Sequence, residues 1–320
     1  MKIKNFNASI LRLSNSSDLQ YLLLSGFSGL EAYHPQISIL FCVLYLIAVI
    51  SNSTILVVIF LEESLHEPMY LFLSMLAASD LGLCATTLPT ILKVFWFNSR
   101  EIRFDACLTQ MYFIHIFSMM ESGILLIMAF DRYVAISNPL RYTVILNNST
   151  IVKISVGFAL RAIIIIMPAP FHIKKLKFCE ANVLSHSYCL HPDIIKLSCS
   201  DHRINSFLGL IVIIMTFGFD SVLILLSYVK ILATVLSIAS QEERVKALNT
   251  CVSHICAVLL VYVPMFGVSI IHRFGKHLPS VVHVIMSYVY LLVPPVFNPV
   301  IYCIKTHQIR IRLLNILKKM

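Results

Sequence analysis

MAFDRYVAISNPLRY, running from Met128 to Tyr142, places an acid, an arginine and a tyrosine (Asp131, Arg132, Tyr133) at the end of a long apolar segment. Two adjacent charges are costly in the middle of a bilayer, so they belong at its boundary, within reach of water and headgroups. The string therefore reads as the mouth of a membrane-spanning helix.

Outward from it, the whole chain reads as lipid-embedded. Of 320 residues, 58% are hydrophobic and 13% charged, and the mean hydropathy is +0.84. A soluble domain carries about a quarter charged residues, so this chain lacks the polar surface to cover a globule in water. A helix needs about 20 apolar residues to cross the hydrocarbon core. Seven segments qualify, at roughly 37–61, 69–92, 105–135, 151–171, 204–236, 244–271 and 281–304. Open strands cannot cross lipid, because their backbone groups would lack partners. The predicted fold is an all-α membrane protein, a seven-transmembrane helix bundle. Its domains are an N-terminal tail over about 1–36, the bundle over about 37–304, and a tail over about 305–320. That last stretch, KTHQIRIRLLNILKKM from Lys305, alternates basic and apolar residues at helical spacing and reads as a short amphipathic helix on the membrane surface. A flexible basic tail is its plainer alternative.

The net charge of +9 does not point to nucleic acid, because the basic residues are scattered over loops and tails and form no stripe. Basic side chains near lipid headgroups account for it. Residues 1–30 hold no apolar run ending in a small-residue cleavage site, so the first apolar segment is expected to insert as a signal anchor. No internal repeat of the kind that marks many transporters is visible. Lys and Arg divide almost evenly between the two sides, so the positive-inside rule leaves the orientation open. Sequons at Asn7 and Asn15 favour an extracellular N-terminus, although matching triplets at Asn147 and Asn148 fall on the other side and one at Asn52 lies in a helix.

There are nine cysteines. Cys107 opens the third segment, and Cys179, Cys189 and Cys199 lie ten apart in one long loop. All four share one expected side, where an oxidising exterior would let them pair, and four cysteines allow three connectivities. Cys42, Cys84, Cys251, Cys256 and Cys303 read as small buried apolar residues.

Four stretches taken in order carry a family resemblance: PMYLFLSMLAASDLGLC from Pro68, the Met128–Tyr142 string, KALNTCVSHI from Lys246, and PPVFNPVIY from Pro294. Together the chain resembles odorant receptors, a branch of the rhodopsin-like G-protein-coupled receptors. HRFGKHLP from His272 and SHSYCLHPD from Ser185 look like the class I, fish-like branch. Two positions depart from the pattern: Ser51 stands where glycine is usual, and Ser137 where cysteine is.

The resemblance implies disulfides Cys107–Cys189 and Cys179–Cys199. It implies a switch in which Arg132 pairs with Asp131 at rest and later faces a G protein, with Tyr133 beside it and Tyr228 and Tyr302 swinging inward. Tyr262 takes the toggle position, and Pro264 and Pro299 kink their helices. Arg244 and Lys246 begin the sixth helix where some relatives carry an acid that holds the arginine, so a different resting contact is expected. Asp80, Glu121 and Asn298 would share a polar centre that holds a sodium ion or a shared proton; two neutral, hydrogen-bonded acids are the plainer reading.

For the ligand, the resemblance implies a pocket between the outer halves of helices three, five, six and seven. Ser269 and Arg273 share a helix face, and an inward guanidinium binds a carboxylate bidentately. His115 and Ser118 lie below Cys107; Met119, Met265 and Tyr288 are weaker lining candidates. Class I members often respond to short carboxylic acids. Pro192, three residues after Cys189, has no N–H to offer a ligand. The expected partners are a small-molecule odorant, membrane lipid and a stimulatory, olfactory-type heterotrimeric G protein that raises cyclic AMP at the plasma membrane. A metabolite sensor of the same fold and a small-solute transporter are the alternatives. No nucleophile–base motif or metal-ligand cluster marks an enzyme. Arg161 and Asp220 are intramembrane charges whose partners the sequence does not identify.

Overall fold

A computed structural model describes residues 19–27, 33–178, 182–275, 277–305 and 309–312. The sequons at Asn7 and Asn15, Cys179 and most of the basic tail lie outside these residues; 309–312 of the tail are helical.

Seven helices are long and apolar enough to span a membrane. They are α1 (His34–Leu61), α2 (Pro68–Phe95), α3 (Phe104–Ser137), α4 (Asn148–Lys174), α5 (Arg203–Ser237), α6 (Gln241–Phe274) and α7 (Ser280–Lys305). Their starts carry local signals. Pro68 opens α2 where a missing N–H costs nothing. The Asn147 side chain accepts from Thr150 N at 2.9 Å, so this sequon asparagine serves as the cap of α4. Ser240 and Glu243 begin α6 in the pattern of a capping box, with Ser240 Oγ accepting from Glu243 N at 3.4 Å.

The bundle centres on α3, the most buried of the seven, which packs against α2, α4 and α5. Large apolar side chains on the outer faces, such as Phe60, Leu225 and Val263, are exposed. A helix apolar all round, with that surface turned outward, suits lipid and not water. Glycines let the helices close up: a Cβ at Gly82 would lie 2.4 Å from the Phe117 ring, and one at Gly123 would lie 2.6 Å from Phe158.

Prolines leave a specific debt in α7. Pro299 has no N–H to give to the carbonyl four residues back, that of Pro295. Asn52 of α1 fills the vacancy, donating to Pro295 O at 2.8 Å and to Ala48 O at 2.9 Å. A buried carbonyl is thereby satisfied across 243 residues of chain.

The end opposite Arg132 is capped by a small sheet. Strand β1 (Tyr21–Leu24) lies between β2 (Glu101–Arg103), antiparallel with Leu22 opposite Ile102, and β3 (Val183–Leu184), parallel with Leu24 opposite Leu184. The sequence reading assigned no regular structure to this part of the N-terminal tail. Its alternation explains the strand: Leu22 and Leu24 are buried, while Tyr21 faces out. A Cys107–Cys189 disulfide ties the long loop to α3 at the same end, and Gln110 Oε1 accepts from Cys189 N at 2.9 Å. Cys199 is also disulfide-bonded.

Candidate functional site

At the disulfide end, α6 presents Ser269 and Arg273 one turn apart. Arg273 Nη1 donates to Ser269 Oγ at 2.7 Å and to its carbonyl at 3.3 Å; Nη2 reaches Ser206 O of α5 at 3.5 Å. Its Nε is buried without a partner. The guanidinium thus turns inward between α5 and α6 and does not snorkel to the boundary. Gly209 of α5 makes room for this. A Cβ there would lie 3.2 Å from the His191 ring and 3.7 Å from Arg273 Nη2. His191 opens the short loop helix His191–Lys196, where Pro192 falls in the first turn, and its ring centroid is 6.5 Å from that of His115 on α3. Desolvation, with His115 and Arg273 alongside, pushes His191 down to about 3. It is neutral near pH 7, so the positive charge at this contact sits on the guanidinium.

The other pocket candidates are less clearly gathered. Ser118 Oγ is 2.6 Å from Tyr290 OH. Met119 and Met265 are buried in the core. Tyr288 turns toward α1 and α2, stacking on Phe27 at 5.4 Å and meeting Phe41 at a tilt with centroids 4.5 Å apart, and it hydrogen-bonds Ser187. It belongs to the wall that joins the loop to α7. In that wall Asp193 Oδ2 accepts from Ser185 N at 2.9 Å and pairs with His186 Nδ1 at 2.8 Å, and His186 Nε2 lies 3.0 Å from Ser287 Oγ. Burial pushes the Asp193 carboxyl up, but His186, Lys196 and His272 together outweigh it and hold the group below the usual carboxylate range.

In the middle of the bundle the two unassigned charges meet. Arg161 of α4 grips Asp220 of α5 with both terminal nitrogens, at 2.8 and 2.6 Å, while its guanidinium carbon lies 5.1 Å over the Phe158 ring. Ser122 of α3 donates to Asp220 Oδ2 at 2.7 Å. That uses its one proton, so the 2.7 Å contact with Tyr262 OH has the tyrosine donating. A chain of four side chains thus links α4, α5, α3 and α6. Phe217, in the wide π turn Ile214–Gly218 of α5, packs edge-on against Tyr262 at 6.2 Å. Next to Ser122 on α3, Glu121 is buried, as are Asp80 and Asn298. Asn298 donates to Asp80 Oδ2 at 3.2 Å, and Glu121 lies within hydrogen-bond reach of Asp80. Asp80 Oδ1, Glu121 Oε1 and Asn298 Oδ1 have no partners. Among the described residues no group of three His, Cys, Asp or Glu forms a metal site.

At the other mouth, Arg132 Nη2 meets Asp131 Oδ2 at 2.8 Å, and Tyr142 donates to Asp131 Oδ1 at 2.6 Å. Burial, then the Asp131 charge, raises the Tyr142 phenol far above its ordinary value and keeps it a donor. Tyr228 OH is 2.6 Å from His254 Nδ1, and His254 Nε2 is 3.0 Å from Leu125 O. A carbonyl only accepts, so Nε2 carries the proton and Nδ1 accepts from Tyr228. Tyr302 OH points to Met128 Sδ at 3.9 Å. Arg244 donates to Leu236 O at 3.4 Å and Ile238 O at 2.8 Å, tying α6 to the end of α5 and making no contact with Asp131. The sequence reading did not single out Ser122, His191, Gly209 or His254. His191 and His254 lie inside stretches quoted for the resemblance; Ser122 adjoins Glu121.

A seven-helix bundle with a polar axis, a charged pair at one mouth and an inward guanidinium at the other has the build of a G-protein-coupled receptor. The family model for olfactory receptors matches residues 41–320. Human olfactory receptor 51G1 is 56% identical over 303 residues, covering 95% of this chain and 94% of its own length. Human olfactory receptor 51I2 is 57% identical over 298 residues, covering 93% and 96%. Human olfactory receptor 51L1 is 54% identical over 303 residues, covering 94% and 96%. The chain belongs to the olfactory receptor family, in its class I branch. It is a multi-pass membrane receptor for small molecules that couples to G proteins, and not an enzyme.

Proposed function

We propose that this receptor lies in the plasma membrane with its N-terminus outside, binds a short carboxylic acid or similar small polar odorant, and activates a stimulatory olfactory-type G protein to raise cyclic AMP. The observation that carries the ligand class is the inward Arg273 guanidinium, with an unpartnered Nε and with Ser269 in reach. A carboxylate is its natural complement, since charge-assisted bonds to a fork of N–H donors are about twice as strong as neutral ones. Neutral His191, with His115 facing it, supplies hydrogen bonds or shape beside it. Ser118, Met119 and Met265 extend the lining toward the core, and Tyr288 supports the wall behind. Binding favours the active form by the difference in affinity between the two states. Tyr262 relays the change to Arg132, Tyr228, Tyr302 and the Asn298–Pro299 bend. Asp80, Glu121 and Asn298 hold a sodium ion or a shared proton; three unpartnered buried oxygens there support that reading. The bridge Cys179–Cys199 and glycans at Asn7 and Asn15 complete the outer side.

A cyclic-AMP reporter in cells expressing the full chain, screened with short acids, esters and alcohols, tests this reading. Arg132→Ala abolishes every response. Arg273→Ala weakens acids about tenfold or more, the worth of one charged contact, and spares alcohols. Equal loss for acids and alcohols overturns the carboxylate assignment.

A further inference from the structure

A hollow of about 410 Å³ opens sideways from the bundle between α3, α4 and α5, on the Arg132 side. It exists because α4 and α5 each pack on α3 far more than on each other. Phe158 of α4, pressed against Gly123, forms one wall; Phe130 of α3 and Leu223 and Leu226 of α5 form the rest. Phe130 and Leu226 are exposed, so the hollow faces lipid and is separate from the Arg273 site.

Its polarity runs one way. The deep end, at Leu126, Leu223 and Phe158, is purely apolar. The end nearest the boundary carries Tyr133 and Lys230. Lys230 lies seven residues beyond Leu223 on α5, about 10 Å farther toward the membrane surface. Its side chain is exposed, and no carboxylate among the described residues pairs with it. Ser227 does not compete for a ligand, because its hydroxyl donates to Leu223 O.

We propose that this groove binds one anionic phospholipid from the adjoining leaflet. An acyl chain lies along Phe130, Phe158 and Leu226, and the headgroup's negative charge meets the Lys230 ammonium. With the orientation proposed above, that leaflet is the cytoplasmic one, where anionic lipids concentrate. The apolar wall alone would accept any lipid; the unpaired ammonium at its mouth selects for charge. Because Tyr133 lines the groove and follows Arg132 in the chain, the bound lipid touches the coupling end directly.

Native mass spectrometry of the full-length receptor in neutral detergent tests this, with phosphatidylserine and phosphatidylcholine of identical acyl chains added in equal amounts. The expected result is one tightly retained lipid, with phosphatidylserine favoured about fivefold, the ratio one lysine near an anionic surface is worth. Lys230→Gln brings that ratio to about one. Leu226→Trp, filling the groove, lowers retention of both. Lys153→Gln, a cation on the same side outside the groove, leaves the preference intact. Both groove variants alter exposed side chains, and unchanged melting shows they are folded. No preference in the wild type, or full preference in Lys230→Gln, overturns the proposal. The measurement needs no odorant, so either outcome leaves the ligand reading to its own test.

Discussion

Arg161 and Asp220, on adjacent helices and 59 residues apart in sequence, form a two-pronged ion pair in the middle of the bundle, with Asp220 fully buried. Through Ser122 the pair reaches Tyr262, so a contact that reads as structural is joined to the proposed toggle.

Removing one partner strands the other. Arg161→Leu leaves the Asp220 carboxylate buried without its cation and is expected to cost about 3–5 kcal/mol. Thermal melting of the purified receptor checks it. The double variant Arg161→Leu/Asp220→Leu is expected to regain most of the loss, because two apolar side chains carry no stranded charge. A single variant that melts with the wild type would show the pair contributes nothing.

Tyr262→Phe deletes the hydroxyl that donates to Ser122 and leaves the ring packed on Phe217. The expected stability loss is about 1 kcal/mol. The larger effect is on signalling: basal cyclic AMP shifts and odorant efficacy falls while surface expression holds. Unchanged basal and evoked signals would remove Tyr262 from the relay.

Asn52 and Pro295 are linked for a backbone reason, and the prediction is correspondingly sharp. Asn52→Leu restores the orphaned carbonyl left by Pro299, for about 1–3 kcal/mol. Adding Pro299→Ala, which returns an N–H to that carbonyl, is expected to make the Asn52 change cheaper. A double-mutant cycle on melting with no coupling between the two positions would contradict the assignment.

The response to acid follows from His191. Its folded value is about 3, against about 6.5 in an unfolded chain. Between those values the unfolded state binds more protons, so stability falls as pH drops through that window. Asp193 acts in the same direction but in a lower window: its contribution is present above the ordinary carboxylate value and is lost only as pH falls below it. Between about pH 7.5 and pH 5 the wild type should therefore lose more in melting temperature than His191→Gln. Equal losses would mean His191 already carries a proton in the fold.

The seven spans were legible because an apolar run of membrane length has few other readings, and the helices bracket the expected segments within a few residues. Arg161 and Asp220 were legible as costly charges, but their mutual pairing was not, since nothing local sets which faces of α4 and α5 meet. Asn52 stood out only as a sequon-like triplet inside a helix; its partner is a carbonyl made vacant by a proline 247 positions later, a relation visible only once α1 and α7 are side by side. Gly209 carried no signal at all, because its role is the space it leaves for His191 and Arg273. The β1 strand was missed because four residues of alternation in a polar tail are too short to distinguish from loop.

The central claim is that filling the Arg273 end moves the Arg132 end. A fluorophore attached at Glu242→Cys, an exposed position at the start of α6, reports that movement in the purified receptor. Titration with the most potent acid from the screen should shift its emission saturably, and Tyr262→Phe should blunt the shift while binding persists. A wild-type receptor that binds the acid with no change at that position would contradict the account.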